Sequence, residues 1–169
     1  MAKAVTTPDE PAMLHDVARQ IVNQYTVYGA ASGLLPLPGL DVAAIVGTQI
    51  KMIAELAQLY DKPFAEHAVK GYVAALLGGV LPVSGFTAAF GSAVKAVPGI
   101  GTLLGMFVMP GVAGASTWAV GKIFAAHFES GGDLADFNVD AARERFRHEF
   151  ARARNRVKAA VGGAKPAEA

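Results

Sequence analysis

Cysteine is absent from the 169 residues of this sequence, and charged residues are scarce. The absence of cysteine excludes disulfide bonds and thiolate chemistry, and it suits a reducing compartment. Charged residues make up 17% of the chain, whereas ordinary soluble domains contain about 25%. Apolar residues make up 53%. This composition favours a protein that contacts a membrane or a large hydrophobic partner.

Signatures of catalysis and of cofactor binding are also missing. No Gly-x-x-x-x-Gly-Lys-Ser/Thr loop occurs, so the chain lacks the phosphate-binding motif of a GTPase domain. The segment from Gly99 to Gly105 superficially resembles a dinucleotide loop, but such a loop must follow a strand, and helical patterns surround this one. Glu144 and His148 are four residues apart, yet a metal site needs at least a third ligand. We therefore expect no enzymatic activity, no cofactor and no bound metal.

The most prominent feature is an almost uncharged stretch from Gly71 to Gly121, in which Lys95 is the only charged residue. Lys95 and Pro98 divide it into two halves, and each half exceeds the ~20 residues that a helix needs to cross a bilayer core of about 30 Å. We interpret the stretch as a helical hairpin that lies either in a membrane or at the centre of a very apolar bundle. Lys95 at the turn would reach lipid headgroups by snorkelling, with a role in transport as the alternative.

Prolines and small residues divide this stretch further. Pro82 is expected to break the first half and Pro110 the second, because proline lacks the N–H that a helix requires. Pairs of small residues four positions apart are typical of close helix packing, and they predict helix–helix contact and homo-oligomers. These pairs are Gly101 with Gly105 and Gly111 with Ala115.

Amphipathic patterns flank the apolar hairpin, so the predicted fold class is all-α. Within the second predicted helix, Lys51 and Glu55 are expected to form an ion pair. We expect a disordered lead over residues 1–10, a single domain over 11–160 and a disordered tail over 161–169. The lead has no apolar run, so it is not expected to be a signal peptide. The predicted flanking helices are Glu10–Tyr28, Asp41–Tyr60, one that begins at Phe64 and runs into the hairpin, and Phe137–Ala160.

Two Pro-Gly corners precede predicted helices. Pro36-Leu37-Pro38-Gly39 forms a sharp apolar corner, since two prolines one residue apart cannot sit inside a regular helix. Asp41 follows it and is interpreted as the N-cap of the next helix, with an acid at a membrane interface as the alternative. Pro98-Gly99 forms a second corner of similar sequence.

The last predicted helix is strongly basic: residues 143–158 contain seven Lys or Arg and two Glu. It could bind anionic lipid headgroups, at up to about 1 kcal/mol per basic residue, or it could be a solvated or partner-binding helix. No nucleic-acid partner is predicted, because the net charge of the chain is only +1. The candidate lipid-binding residues are Lys95, Arg143, Arg147, Arg152, Arg154, Arg156 and Lys158.

Four stretches together resemble a known bacterial family. They are Leu35–Asp41, Gln49–Tyr60, Val97–Thr102 and Ser116–Lys122. Their order and spacing resemble the YcjF-like domain of unknown function, family number 697, over about residues 20–132. The resemblance implies a helical inner-membrane or membrane-associated domain that often stands C-terminal to an Era-like or dynamin-like GTPase domain. Because this chain has no GTPase motif, a GTPase partner would act in trans.

These observations lead to one leading hypothesis and two alternatives. We expect a non-enzymatic protein that inserts the hairpin 71–121 into the bacterial cytoplasmic membrane, with both termini in the cytoplasm. It would contact membrane lipids, self-associate and act as a scaffold, a membrane-remodelling element or an accessory to a GTPase in trans. The first alternative is a soluble or peripheral helical bundle that binds an apolar ligand or a partner protein. A small pore or transporter is the second.

Overall fold

The computed structural model describes residues 10–32, 40–78 and 100–162, without the side chains of 40–42, 100–109, 158 and 160–162. The corner residues Pro36, Pro38, Gly39, Pro98 and Gly99, and the hairpin lysine Lys95, lie outside the described residues. The fold is all-α, as predicted. The helices are α1 (Glu10–Ser32), α2 (Leu40–Leu59), α3 (Glu66–Gly78), α4 (Ile100–Glu129) and α5 (Val139–Gly162).

Helix α4 is the centre of the bundle, and α1 packs against it in the antiparallel direction. Gly114 of α4 faces Ala30 near the end of α1, whereas Glu129 at the end of α4 contacts His15 near the start of α1. Between these points, a Cβ built on Gly121 would lie 2.9 Å from the methyl groups of Val22. Apolar residues around the whole circumference of α4 suit a helix that is covered on several sides.

The other helices complete the cover. Helix α2 runs parallel to α4, since Gln49 bonds to Ser116 and Thr117 in the middle of the two helices and Tyr60 packs on Phe128 where both helices end. Helix α5 runs antiparallel to α4, and its Val157 lies against Gly111. Helix α3 packs against α2, α4 and α5. The predicted apolar face of α5 is confirmed: its buried residues include Phe146, Phe150 and Ala153.

These directions give the bundle two different ends. At the charged end, residues 60–65 join α2 to α3 and residues 130–138 join α4 to α5. At the opposite end, which we call the apolar end, α1 and α5 finish while α2 and α4 begin, and α3 points towards it. In the sequence, residues 33–39 separate α1 from α2 and residues 79–99 separate α3 from α4, and Lys95 is the only charged residue in these two segments.

Two similar helix caps build the charged end. After α2, the N–H of Lys62 donates to the carbonyl of Ala57 at 2.8 Å, and Asp61 takes a left-handed φ of 52°. After α4, Gly132 donates to His127 at 3.1 Å, and Gly131 takes a φ of 93°. Both are Schellman caps, which satisfy the last free carbonyls of a helix. The predicted end of α2 at Tyr60 lies one residue after the observed end at Leu59.

An aromatic cluster fills the core near the charged end. The rings of Phe124 and Phe137 stack with centroids 4.4 Å apart and an interplanar angle of 9°. Tyr72 packs on Phe137 at 5.0 Å and donates its hydroxyl to the carbonyl of Leu134 at 2.7 Å. Phe137 therefore belongs to the core although it precedes α5, which begins at Val139 after Asn138 caps it through Ala141 N–H at 3.0 Å.

The prediction that Pro110 divides the second half of the hairpin is wrong. Helix α4 continues through Pro110 for its full 30 residues. Proline in a helix interior costs about 3 kcal/mol, so packing on both sides must outweigh that cost. The next residues supply such packing, since Gly111 meets α5 and Gly114 meets α1.

The predicted pair of Lys51 and Glu55 is also absent from the described ion pairs. Glu55 instead accepts a 2.6 Å hydrogen bond from the hydroxyl of Tyr25, which joins α2 to α1. The sequence pattern of α1 predicts one apolar stripe, formed by Leu14, Val17, Ala18, Ile21, Val22, Tyr25 and Tyr28. This prediction is only partly correct, because Ala18, Val22 and Tyr25 are buried whereas Val17 and Tyr28 are exposed. Helix α1 extends to Ser32, past the predicted end at Tyr28.

Within the part of the chain that the structure describes, no helix combines the length and the apolar character that a membrane crossing requires. The described part of the hairpin, in α3 and the second half of α4, contributes instead to the protein core. Buried residues from it include Val73, Leu76, Ala119 and Val120. Of the two environments that the sequence left open for this stretch, an apolar bundle accounts for these residues.

Candidate functional site: a basic cleft between three helices

A cleft of about 330 Å³ opens where α1, α4 and α5 meet. Helix α1 lines it with residues from successive turns of one face, because positions three and four apart are neighbours on a helix. Trp118 and Lys122 of α4 share a face for the same reason, and α5 contributes Arg156. The lining residues are His15, Arg19, Val22, Asn23, Trp118, Lys122 and Arg156.

The cleft is strongly basic. Arg19, Lys122 and Arg156 bring three positive charges to it from three helices, and no carboxylate is among its lining residues. Among the described side chains, none of these three cations has a carboxylate within ion-pair distance. The arrangement can therefore accept an anion without first breaking an internal ion pair.

Trp118 orients one of these cations. The Cζ atom of Arg156 lies 5.5 Å from the centroid of the Trp118 ring, which is within the range of a cation–π interaction. Trp118 is half-buried and Val22 is buried, so the cleft has a rigid apolar base beneath an accessible basic rim.

A carboxylate stands beyond one end of the cleft. Glu129 lies 3.0 Å from Nδ1 of His15 through Oε1 and 3.2 Å through Oε2. A small cavity of about 30 Å³ continues from the cleft towards this pair. Glu129 is thus held by His15 near the charged end, at a distance of seven α4 residues from Lys122.

The predicted lipid-binding arginines fall into two groups along α5. In the first half of the helix, Arg143 pairs with Asp140 at 2.8 Å and donates to the carbonyl of Ala75 at 3.3 Å. Arg147 pairs with Glu144 at 3.5 Å. These arginines are engaged within the bundle or along their own helix, on the half of α5 that begins at the charged end.

The second group lies towards the apolar end. Arg152 pairs with Glu149 at 3.6 Å, and Arg154 is exposed without a described ion pair. Arg156 enters the cleft. The side chain of Lys158 and the whole of Lys95 lie outside the described residues. Among the described side chains of α5, Arg145, Arg154 and Arg156 have no ion pair, and two of these three lie in its C-terminal half.

A second groove of about 510 Å³ lies between α4 and α5 and has mixed charge. Glu144 and His148, the pair considered as metal ligands, both line it, together with Arg145 and Glu149. Among the described residues, no group of three or more His, Asp or Glu could hold a metal ion. This groove offers neither a uniform charge nor a set of convergent ligands.

The core also contains one polar cluster. Nε2 of Gln49 lies 3.3 Å from Oγ of Ser116 and 3.4 Å from Oγ1 of Thr117, and both hydroxyls donate to the carbonyl of Ala113 at 2.9 Å. All three side chains are buried. These bonds fix the register of α2 against α4, and they satisfy most of the polar atoms.

The predicted packing glycines are found on α4. Gly111 lies against Val157, and Ala115 is buried in the core, so this pair packs within the chain. Gly101 and Gly105 lie in the first turns of α4, where side chains are not described. The segment from Gly99 to Gly105 contains the start of this helix at Ile100.

The helix starts agree closely with the Pro-Gly corners. Helix α2 begins at Leu40, directly after the corner residues 36–39, and α4 begins directly after Pro98-Gly99. Asp41 is the second residue of α2, one position inside the helix, and its side chain lies outside the described ones.

Of the seven residues that line the cleft, only Arg156 was predicted as a binding residue, and those missed include Arg19, Trp118 and Lys122. The four-residue spacing of His15 with Arg19 and of Trp118 with Lys122 was a usable signal, because it places each pair on one helix face. This spacing does not predict the register of α1 against α4, and that register brings the two pairs together.

Comparisons with known proteins show the family to which the chain belongs. Residues 12–155 match a domain of unknown function, DUF697. The chain is 37% identical over 134 residues to magnetosome membrane protein 22 of Magnetospirillum gryphiswaldense, and this match covers 79% of the chain and 69% of that relative. No solved structure matches. The family resemblance inferred from four short stretches is thus confirmed, and the chain belongs to the DUF697 family.

Proposed function

We propose that this chain is a non-enzymatic membrane-associated protein that attaches to the cytoplasmic membrane through the apolar end of its bundle. In this proposal the charged end faces the cytoplasm and is available to partners. The protein acts as a scaffold or a membrane-remodelling element, and a GTPase in trans is its proposed partner.

The observation that carries the proposal is the position of the helix ends that border the two least charged segments of the sequence. Helix α1 ends and α2 begins at the apolar end, on either side of residues 33–39 in the sequence, and α4 begins at the same end, directly after residues 79–99 in the sequence. The first segment is Gly-Leu-Leu-Pro-Leu-Pro-Gly, and the second has one charged residue in 21. The connections at the charged end contain Asp61, Lys62, Asp133 and Asp136. The molecule is therefore polarised along the bundle axis.

The charges of α5 support the same orientation. Arg154 and Arg156 lie towards the apolar end without described carboxylate partners, whereas in the other half Arg143 and Arg147 are paired and Arg145 alone is not. Basic residues beside an apolar surface are attracted to anionic headgroups, at about 1 kcal/mol each. The match with a magnetosome membrane protein supports membrane association in general terms.

The burial of the described helices limits which part of the chain could enter a membrane. Because much of α3 and α4 is buried in the protein core, a membrane-inserted part must come from the remaining residues of the hairpin. Insertion of this part and peripheral binding of the apolar end are the two forms of the proposal. Self-association, also part of it, would be measured by light scattering in detergent.

Fractionation of the expressed full chain tests both forms. We expect the chain in the membrane pellet and, after purification, in the floating fraction with vesicles of phosphatidylcholine and phosphatidylglycerol. Retention after an alkaline carbonate wash supports the inserted form. Release by carbonate contradicts insertion and leaves the peripheral form, and a chain that neither sediments nor floats contradicts the proposal.

A matched pair of variants locates the contact. Val27 and Met13 are both exposed apolar residues of α1, at 65% and 50% exposure, but Val27 lies near the apolar end and Met13 near the charged end. We expect Val27→Asp to weaken flotation by severalfold and Met13→Asp to leave it unchanged. Equal effects would contradict attachment through the apolar end.

A further inference from the structure

We propose that the cleft formed by Arg19, Lys122 and Arg156 binds a phosphate group. The group could belong to a lipid headgroup or to a small soluble phosphate ester, because both present the same oxygen atoms. The lipid source rests on the proposed function, whereas the soluble source is independent of it.

Three positively charged side chains from different helices line the same cleft. The three cations come from α1, α4 and α5, so no single helix pattern creates their proximity. Carboxylates are present on the same helices, and Asp140, Glu144 and Glu149 neutralise other arginines of α5. The three cations that line the cleft have no described ion-pair partner, and Glu129, which lines an adjacent small cavity with Arg19 and Lys122, is paired with His15. An anion would relieve the mutual repulsion of the three cations and stabilise the fold by binding the native state.

The charged side chains of the cleft are of the types that commonly bind phosphate. Arginine presents a planar set of N–H donors that matches phosphate oxygens, and lysine contributes a compact point charge. Asn23 adds a neutral amide to the lining. A phosphate monoester carries a charge of about −1.5 to −2 near neutral pH, which compensates three cations better than a single carboxylate does.

One of the three cations, Arg156, is held in position before a ligand binds. The guanidinium of Arg156 lies over Trp118, which limits its freedom before a ligand arrives. Restraint of a ligand-binding side chain in the free protein reduces the entropy that binding would otherwise lose. Arg156 therefore differs from Arg154 of the same helix, for which no cation–π contact is described.

The size of the cleft limits the ligand. Its volume of about 330 Å³ lies at the lower end of the range of ~300–1,000 Å³ for small-molecule sites. A phosphate with a small organic group, such as glycerol phosphate, fits this volume. The cavity is too small to enclose a large ligand, so the remainder of a lipid would stay outside it.

Calorimetric titration of the full chain with inorganic phosphate, and then with glycerol 3-phosphate, tests the site directly at constant ionic strength. The variants are Arg19→Gln and Arg156→Gln, both at exposed positions where glutamine should not disturb folding. Each removes one charged donor, so we expect affinity to fall by about tenfold or more. Arg154→Gln is the matched control, because it removes the same charge from an exposed position of α5 that has no described ion pair and lies outside the cleft.

Flotation with phosphatidylcholine vesicles, with and without phosphatidylglycerol, separates the two sources. Titratable binding of the soluble phosphates that is weakened by the cleft variants and not by the control supports the site with a soluble ligand. A preference for phosphatidylglycerol that the cleft variants lose and the control keeps supports a lipid ligand. If neither probe is bound selectively, or if the control loses as much as the cleft variants, the proposal is wrong.

These outcomes are distinct from failure of the proposed function. A chain that binds soluble phosphate but never floats retains the cleft and contradicts membrane attachment. A chain that floats equally with both vesicle types and does not bind phosphate retains attachment and contradicts the cleft.

Discussion

Val22 of α1 and Gly121 of α4 meet where the two helices approach closely in the middle of the bundle. A Cβ built on Gly121 would lie 2.9 Å from both methyl groups of Val22 and 2.9 Å from Sδ of Met52 on α2. Gly121 is thus the point where α1, α2 and α4 come together. The position of the basic cleft depends on this contact, because Val22 forms its base and Trp118 and Lys122 flank Gly121.

The first prediction concerns this contact. Gly121→Ala should lower the free energy of unfolding by about 1–3 kcal/mol, because the added methyl group overpacks the junction. Alanine has a higher helix propensity than glycine, but that gain of about 1 kcal/mol is smaller than the expected steric cost. Urea denaturation followed by circular dichroism measures the difference.

Gly47→Ala is the control for that experiment. Gly47 is also inside a helix, and a Cβ there meets nothing within 4 Å. It should raise the free energy of unfolding by about 0.5–1 kcal/mol through helix propensity alone. Stabilisation by both substitutions would show that α1, α2 and α4 do not meet as described.

The second prediction concerns the two helix caps at the charged end. Gly131 has a φ of 93°, which L side chains rarely adopt, although a Cβ there would meet no atom within 4 Å. Gly131→Ala should therefore destabilise the protein by about 1 kcal/mol through backbone strain. Asp61 has a φ of 52°, so Asp61→Gly should stabilise by up to about 1 kcal/mol. Opposite signs in thermal unfolding are required; equal signs would rule out the shared cap geometry.

The third prediction concerns alkaline pH. Burial, together with the hydrogen bond to Glu55, raises the pKa of Tyr25 from 10.0 to about 12. Tyr25 thus loses its proton more easily in the unfolded chain than in the folded protein. Its contribution to stability is complete below pH 10 and is lost as the pH rises from 10 to about 12.

Chemical denaturation between pH 8 and 12 would detect this linkage. Tyr25→Phe should reduce stability below pH 10, because it removes the hydrogen bond, and should flatten the alkaline decline. Tyr60, whose pKa burial also raises, remains in the variant and accounts for part of the decline that is left. An unchanged alkaline slope in Tyr25→Phe would contradict the assignment.

Much of the fold could be predicted because its signals are local. Pro38-Gly39 and Pro98-Gly99 placed the starts of α2 and α4 to within one residue, and the phenylalanines of α5 defined its buried face. The prediction that Pro110 breaks the helix was wrong because the effect of this proline depends on the packing of its neighbours against α1 and α5. The predicted ion pair of Lys51 and Glu55 was wrong because Tyr25, from another helix, donates a hydrogen bond to Glu55.

The cleft could not be predicted for the same physical reason. Arg19, Lys122 and Arg156 are unremarkable within their own helices, and each could be a solvated surface charge. Their proximity follows from the antiparallel register of α4 with α1 and α5, which Gly111, Gly114 and Gly121 permit by allowing close approach. A single sequence contains those glycines but does not state which residues they will face.

The orientation of the bundle on a membrane is the central claim of this account, and the natural absence of cysteine makes it directly measurable. Ala31 at the apolar end and Ala135 at the charged end are both exposed alanines. Each can be replaced by cysteine and labelled with an environment-sensitive fluorophore. When phosphatidylcholine–phosphatidylglycerol vesicles are added, the label at Ala31→Cys should shift to the blue and brighten, whereas the label at Ala135→Cys should not change. A response at Ala135→Cys alone, or at neither position, would contradict attachment through the apolar end.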